Sequence, residues 1–120
     1  MAVRYSNAAA RFKALAHPVR LQILDMLRGG EVCVCHMETA LGRRQAYISQ
    51  QLMVLRDAGL VESRKEGLSV FYRLVDDVAL SLLESALGPT DNDAPDVLKT
   101  CPCPRCAEAV SEVVPYSQES

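Results

Sequence analysis

Apolar residues along this chain recur mostly at helical spacing, with one stretch that alternates instead. Residues 6–16, SNAAARFKALA, are rich in good helix formers and offer Ser6 or Asn7 as a cap, which predicts a first helix. His17-Pro18 interrupts that run, and Pro18 suits the first position of a second helix, where its missing N–H costs nothing. Leu21, Ile23, Leu24 and Leu27 then form an apolar stripe that Gly29-Gly30 ends, so a second helix is predicted over 18–28. Residues 32–41 read as a short helix closed by Gly42. Beyond it, Ile48, Leu52 and Leu55 recur at i, i+4 and i+7, while Gln45, Tyr47, Ser49 and Gln50 occupy the other face until Asp57-Ala58-Gly59. A short helix, a glycine turn and an amphipathic helix with a polar outer face make a helix-turn-helix pattern.

The alternating stretch follows directly. Residues 60–64 and 68–74 read as two strands around a turn at Glu66-Gly67, and Arg64, Lys65 and Arg73 make this hairpin a basic wing. Asp76 or Asp77 can cap a last helix, VALSLLESAL, with a stripe of Leu80, Leu83 and Leu87 that Gly88-Pro89 stops. The expected fold is therefore mainly α with a small β-hairpin, a winged helix-turn-helix in the order α-α-α-α-β-β-α. Residues 1–88 are expected to form this one DNA-binding domain. Residues 89–120 form an acidic linker and a cysteine-rich tail, in which 89–97 are a linker and 106–114 a short helix.

Composition narrows the function. The chain has 120 residues, 49% hydrophobic and 23% charged, with no Trp, which fits one compact domain with an aliphatic core. No apolar run is long enough to span a bilayer and the first residues lack a signal-peptide core, so a cytoplasmic protein without a membrane partner is expected. The net charge of −2 is unevenly spread: residues 1–28 carry five basic against one acidic residue, residues 43–73 six against three, and residues 74–120 two against nine. The cationic charge lies where a DNA face would lie. The five cysteines fall into a pair, Cys33 and Cys35, and a trio, Cys101, Cys103 and Cys106. In a reducing compartment such clusters point to metal or redox chemistry rather than structural disulfides.

The segments ALAHPVRLQILDMLRGG, EVCVCHMETALG, QAYISQQLMVLRDAGLV and RKEGLSVFYRL, in that order, resemble the ArsR/SmtB family of winged-helix metal-sensing transcriptional repressors over roughly residues 8–87. The resemblance implies a homodimer formed through the first and last helices. It implies binding to a palindromic double-stranded operator, and release of that operator when an ion binds. Arg43, Arg44, Gln45, Tyr47, Ser49 and Gln50 are carried over as DNA-facing, and Arg64, Lys65 and Arg73 as wing contacts. Gln and Ser can read base edges, whereas Arg and Lys mainly hold phosphates. The arsenic-type motif of the family, Glu-Leu-Cys-Val-Cys-Asp-Leu-Cys, is followed at Glu31, Val32, Cys33, Val34 and Cys35 and departed from at His36, Met37 and Glu38, the last being where the family often has a third thiol. The His and carboxylate set that other members carry on the last helix is absent, since neither His17 nor His36 lies there.

The metal ligands expected are thus Cys33, Cys35, Cys101, Cys103 and Cys106, with As(III) or Sb(III) as inducer and Cd(II), Pb(II) or Zn(II) as alternatives. Soft ions of this kind favour three or more thiolates. Either a tail cysteine completes the Cys33/Cys35 site, within one subunit or across the dimer, or the tail trio forms its own site. On a regular helix residues two apart point about 200° apart, so a shared ion requires the start of the 32–41 helix to unwind. Oxidation of the thiols is a further alternative. His36 is expected at the surface or behind the ligands, His17 in a turn, and Met26, Met37 and Met53 as core fillers. An enzyme would need an activated nucleophile, its base and a substrate pocket; none is signalled, so no enzymatic activity is expected.

Overall fold

In the computed structural model, residues 2–89 are described. They fold as α1 (Ala2–Leu15), α2 (Pro18–Leu27), β1 (Val32–Cys33), α3 (Val34–Leu41), α4 (Gln45–Asp57), β2 (Val61–Glu66), β3 (Ser69–Leu74) and α5 (Asp77–Leu87). The winged helix-turn-helix is as expected, with two differences. α1 begins at Ala2 rather than near Ser6. Residues 32 and 33, expected in a helix, are instead a strand that pairs antiparallel with β3, so the wing is a three-stranded sheet in the order β1-β3-β2. Val32 is apolar and fits either state; it is pairing with Tyr72, distant in sequence, that selects the strand. The linker and tail expected over 89–120 lie almost wholly outside the described residues.

The termini follow local chemistry. His17 adopts an extended conformation and its Nδ1 accepts from the Val19 N–H at 3.2 Å, so the histidine caps the helix that Pro18 opens. Gly42 closes α3 with φ 62°, a left-handed conformation that any side chain would strain. Asp76 caps α5 by accepting from the Ala79 N–H at 2.8 Å.

The core lies where α2, α3, α4 and the inner sheet face meet. Ile23, Leu24, Met37, Ile48, Leu52, Leu55, Leu60 and Leu83 have almost no exposure. Met26 packs beside them and Met37 is at the centre, but Met53 is exposed on α4 and is not a core filler. Two arginines fasten α1, which buries only Ala14 among its side chains. Arg20 donates to the Ala14 and Lys13 carbonyls at 2.7 and 3.0 Å, and to Gln51 Oε1 at 2.9 Å. One guanidinium thereby ends α1 and grips the buried side of α4. Arg11 forms a bidentate pair with Asp76, at 2.9 and 3.2 Å. Val3, Tyr5 and Phe12 of α1 and Val78 and Leu87 of α5 remain exposed.

The Arg11 hydrogen bonds, helped by the Ala79 N–H, hold the Asp76 carboxyl below the usual carboxylate range. A folded pKa below the unfolded one contributes stability that is complete above the unfolded value and is lost as pH falls through the folded value. Asp76→Ala should therefore cost about 1 kcal/mol at neutral pH in urea unfolding. The gap to the parent should close as the medium is acidified below the ordinary Asp range; a gap independent of pH would contradict the assignment.

Candidate thiol site and nucleic-acid interface

Cys33 and Cys35 flank the point where the chain passes from strand to helix. Cys33 is the last residue of β1 and the N-cap of α3, with φ −75° and ψ 145°, while Cys35 is already helical. The extended conformation at Cys33 turns its side chain away from the direction that a helical residue would impose. The two sulfurs meet and are joined as a disulfide, with Cα atoms 5.3 Å apart. The unwinding expected from a continuous 32–41 helix is thus unnecessary, because the helix starts one residue after the first thiol. Cys33 is buried and Cys35 partly exposed.

His36 is buried at 4% exposure rather than at the surface. With α3 starting at Val34, its inward stripe is Val34, Met37 and Leu41, and His36 lies beside Met37 on that side. Among the described residues no group of three His, Cys, Asp or Glu side chains is placed to hold a metal ion. Cys101, Cys103 and Cys106 lie outside the described residues.

The inner and outer faces of the sheet alternate residue by residue. Val32 and Tyr72 are paired on the core side, and Cys33 is paired with Phe71 on the outer side. Phe71 in turn faces Arg64 across β2. Arg64 Nε and Nη2 donate to Glu31 at 2.8 and 2.7 Å, Nη1 approaches Glu66 Oε2 at 3.4 Å, and Cζ stands 4.7 Å from the Phe71 ring centroid. The Glu31 hydrogen bonds push the Arg64 guanidinium still further above its ordinary range. Arg73 is paired with Glu62 at 2.8 Å. Two of the three expected wing cations are thus engaged with carboxylates of the same face, and Lys65 sits beside the turn.

The other candidate DNA residues come together at the start of α4. Arg43, Arg44, Gln45, Ser49 and Gln50 are exposed and Tyr47 is half-buried, opposite the buried Ile48, Gln51, Leu52 and Leu55. Arg43 lies over the Tyr47 ring, 5.3 Å from its centroid. Arg44 is the N-cap and makes no capping hydrogen bond through its side chain, so the first turn presents backbone N–H groups next to two guanidinium groups. That combination suits a phosphate. Sequence reasoning missed Glu31 and Phe71 as partners of the wing and Arg20 as the brace of α4. The one local signal was the continuation of the Cys motif from Glu31.

Comparison with known proteins bears on the family and the fold. The family described as "Bacterial regulatory protein, arsR family" matches residues 17–63. The biofilm growth-associated repressor of Agrobacterium fabrum is 45% identical over 85 residues, 71% of this chain and 73% of that protein. The arsenical resistance operon repressor of Escherichia coli is 48% identical over 64 residues, 52% of this chain and 55% of that one. The homodimeric winged helix-turn-helix DNA-binding domain of a possible ArsR-family regulator from Mycobacterium bovis, solved in solution, superposes with a TM-score of 0.67 at 37% identity, covering 72% and 80% of the two chains. No helix among the described residues is long and apolar enough to cross a membrane. The chain belongs to the arsR family of bacterial regulatory proteins and is a winged helix-turn-helix transcriptional repressor, not an enzyme.

Proposed function

We propose that the protein holds its operator as a homodimer while Cys33 and Cys35 are free, and releases it when a thiophilic ion, As(III) or Sb(III), ties the two sulfurs together. The observation that carries this reading is the meeting of the two thiols at the β1–α3 junction. The arsenical resistance operon repressor supports the choice of ion by its name and its identity to this chain. The exposed apolar residues of α1 and α5 supply the dimer surface, and residues 1–88 are the unit that binds DNA.

The donor chemistry fits a trivalent metalloid in part. Arsenite can exchange two hydroxides for the Cys33 and Cys35 sulfurs, releasing two waters and leaving one position for a third ligand. Cys101, Cys103 or Cys106 of the 89–120 tail would fill it; Cd(II), Pb(II) and Zn(II) would draw on the same thiolates. Closing the pair fixes the angle between β1, which pairs with β3 of the wing, and α3, which packs on α4. Both DNA-facing elements therefore feel the thiol state. Arg43, Arg44, Gln45, Tyr47, Ser49 and Gln50 meet the operator from α4, and Lys65 from the wing.

A second reading is favoured by the Cys33–Cys35 bond itself: a dithiol–disulfide switch. Hydrogen peroxide would take two electrons and two protons from the thiols, leaving a disulfide and two waters. Reversal by a dithiol reductant without bound arsenic identifies this input.

Arsenite should weaken operator binding roughly 5- to 150-fold, the usual range of such coupling. Cys33→Ser and Cys35→Ser should keep DNA binding and lose the response; variants that still release DNA on arsenite in a gel-shift assay rule the pair out. In a chain ended after Gly88, operator binding should persist while arsenite affinity falls, as followed by thiolate absorption; unchanged affinity removes the tail from the site. Arg43→Ala and Arg44→Ala should each lower the slope of log Kd against log salt by roughly 0.9 for every phosphate no longer neutralised, and a parent-like slope would take them off the DNA.

A further inference from the structure

Phe71 stands at the centre of the wing sheet, opposite Cys33 on one side and Arg64 on the other. Phe71 and Cys33 are 2% and 3% exposed, and their row is on the sheet face opposite to that of Val32 and Tyr72. Arg64 helps cover that face. Its side chain runs from β2 over the Phe71 ring and reaches Glu31, just before β1, with two parallel N–H···O bonds of 2.8 and 2.7 Å. The guanidinium thus bridges the sheet over the row that contains Cys33.

We propose that Arg64 is a guard of the Cys33 thiol rather than a DNA contact: anchored by Glu31 and stacked on Phe71, it is a positioning residue that sets access to the sulfur. Three observations carry this. Nε and Nη2, the edge of the fork that would clasp a phosphate, are both taken by Glu31. The face is also unsuited to a DNA backbone, because Glu31, Glu62 and Glu66 outnumber Arg64 and Arg73 there. Finally, Arg64 is half exposed, so the pair is weakly held and can open. A small thiophile is admitted when the pair opens, while the closed form keeps the inner thiol from casual reaction. This assignment rests on the thiol-switch reading.

The test is alkylation of the reduced full-length protein by iodoacetamide, followed at Cys33 and Cys35 separately by mass spectrometry across pH, with operator binding measured against salt. Glu31→Gln keeps the guanidinium and removes its anchor; Arg64→Met removes both cation and stack. In each the high-pH plateau of the Cys33 rate should rise roughly tenfold, as expected when a bidentate pair stacked on a ring is removed, with a far smaller change at Cys35. The salt slope of Arg64→Met should match the parent. An unchanged Cys33 plateau overturns the proposal, and so does a slope lowered by about 0.9 per protomer, which would make Arg64 a phosphate contact. The thiol-switch reading fails separately, if the parent keeps its operator with arsenite bound to the pair, a result obtained without touching Glu31 or Arg64.

Discussion

The pairing of two residues, Val32 and Cys33, with Tyr72 and Phe71 is the constraint on which the geometry of the thiol pair depends. A strand alternates its side chains, so Val32 and Cys33 are buried on opposite faces of the sheet. The pairing also keeps Cys33 extended, and α3 can begin only after it. Cys35, two residues on and already helical, then turns back toward the first sulfur. Had the helix begun at Val32, the two thiols would point to different sides of it. A strand of two residues thus brings together two sulfurs that a helix would separate.

The same pairing joins the thiols to the wing and the helix-turn-helix by packing. β1 is an edge of the wing sheet, and α3 is the supporting helix of the helix-turn-helix. On the proposed reading, a change in the angle at Cys33 is what would displace one relative to the other. On the far side of α4, Arg20 holds Gln51 while capping α1, so the recognition helix is tied to the element that carries the exposed apolar residues Val3, Tyr5 and Phe12. α1, α2 and α4 are thereby braced against one another.

How much of this could be read from the sequence depends on how local each cause is. Helix stops at Pro18, Gly42 and Gly59, the stripe Ile48, Leu52 and Leu55, and the Asp76 cap are local events and were legible. β1 was not, because neither Val32 nor Cys33 prefers a strand strongly enough without its distant partners in β3. The burial of His36, which overturns the surface placement but not one behind the thiols, follows from where α3 starts. Arg64 and Arg73 read as basic wing residues, and only the folded sheet shows the glutamates beside them. Glu31 and Arg64 are 33 positions apart, and no local pattern pairs them.

The most direct measurement uses an agent that needs only the pair. Phenylarsine oxide has two exchangeable valences on arsenic and can bridge two thiols without a third ligand. Fluorescence anisotropy of labelled operator DNA should show the full-length reduced dimer binding at least roughly fivefold more weakly once one arsenical per chain is confirmed at Cys33 and Cys35. Unchanged affinity with both sulfurs occupied would contradict the account.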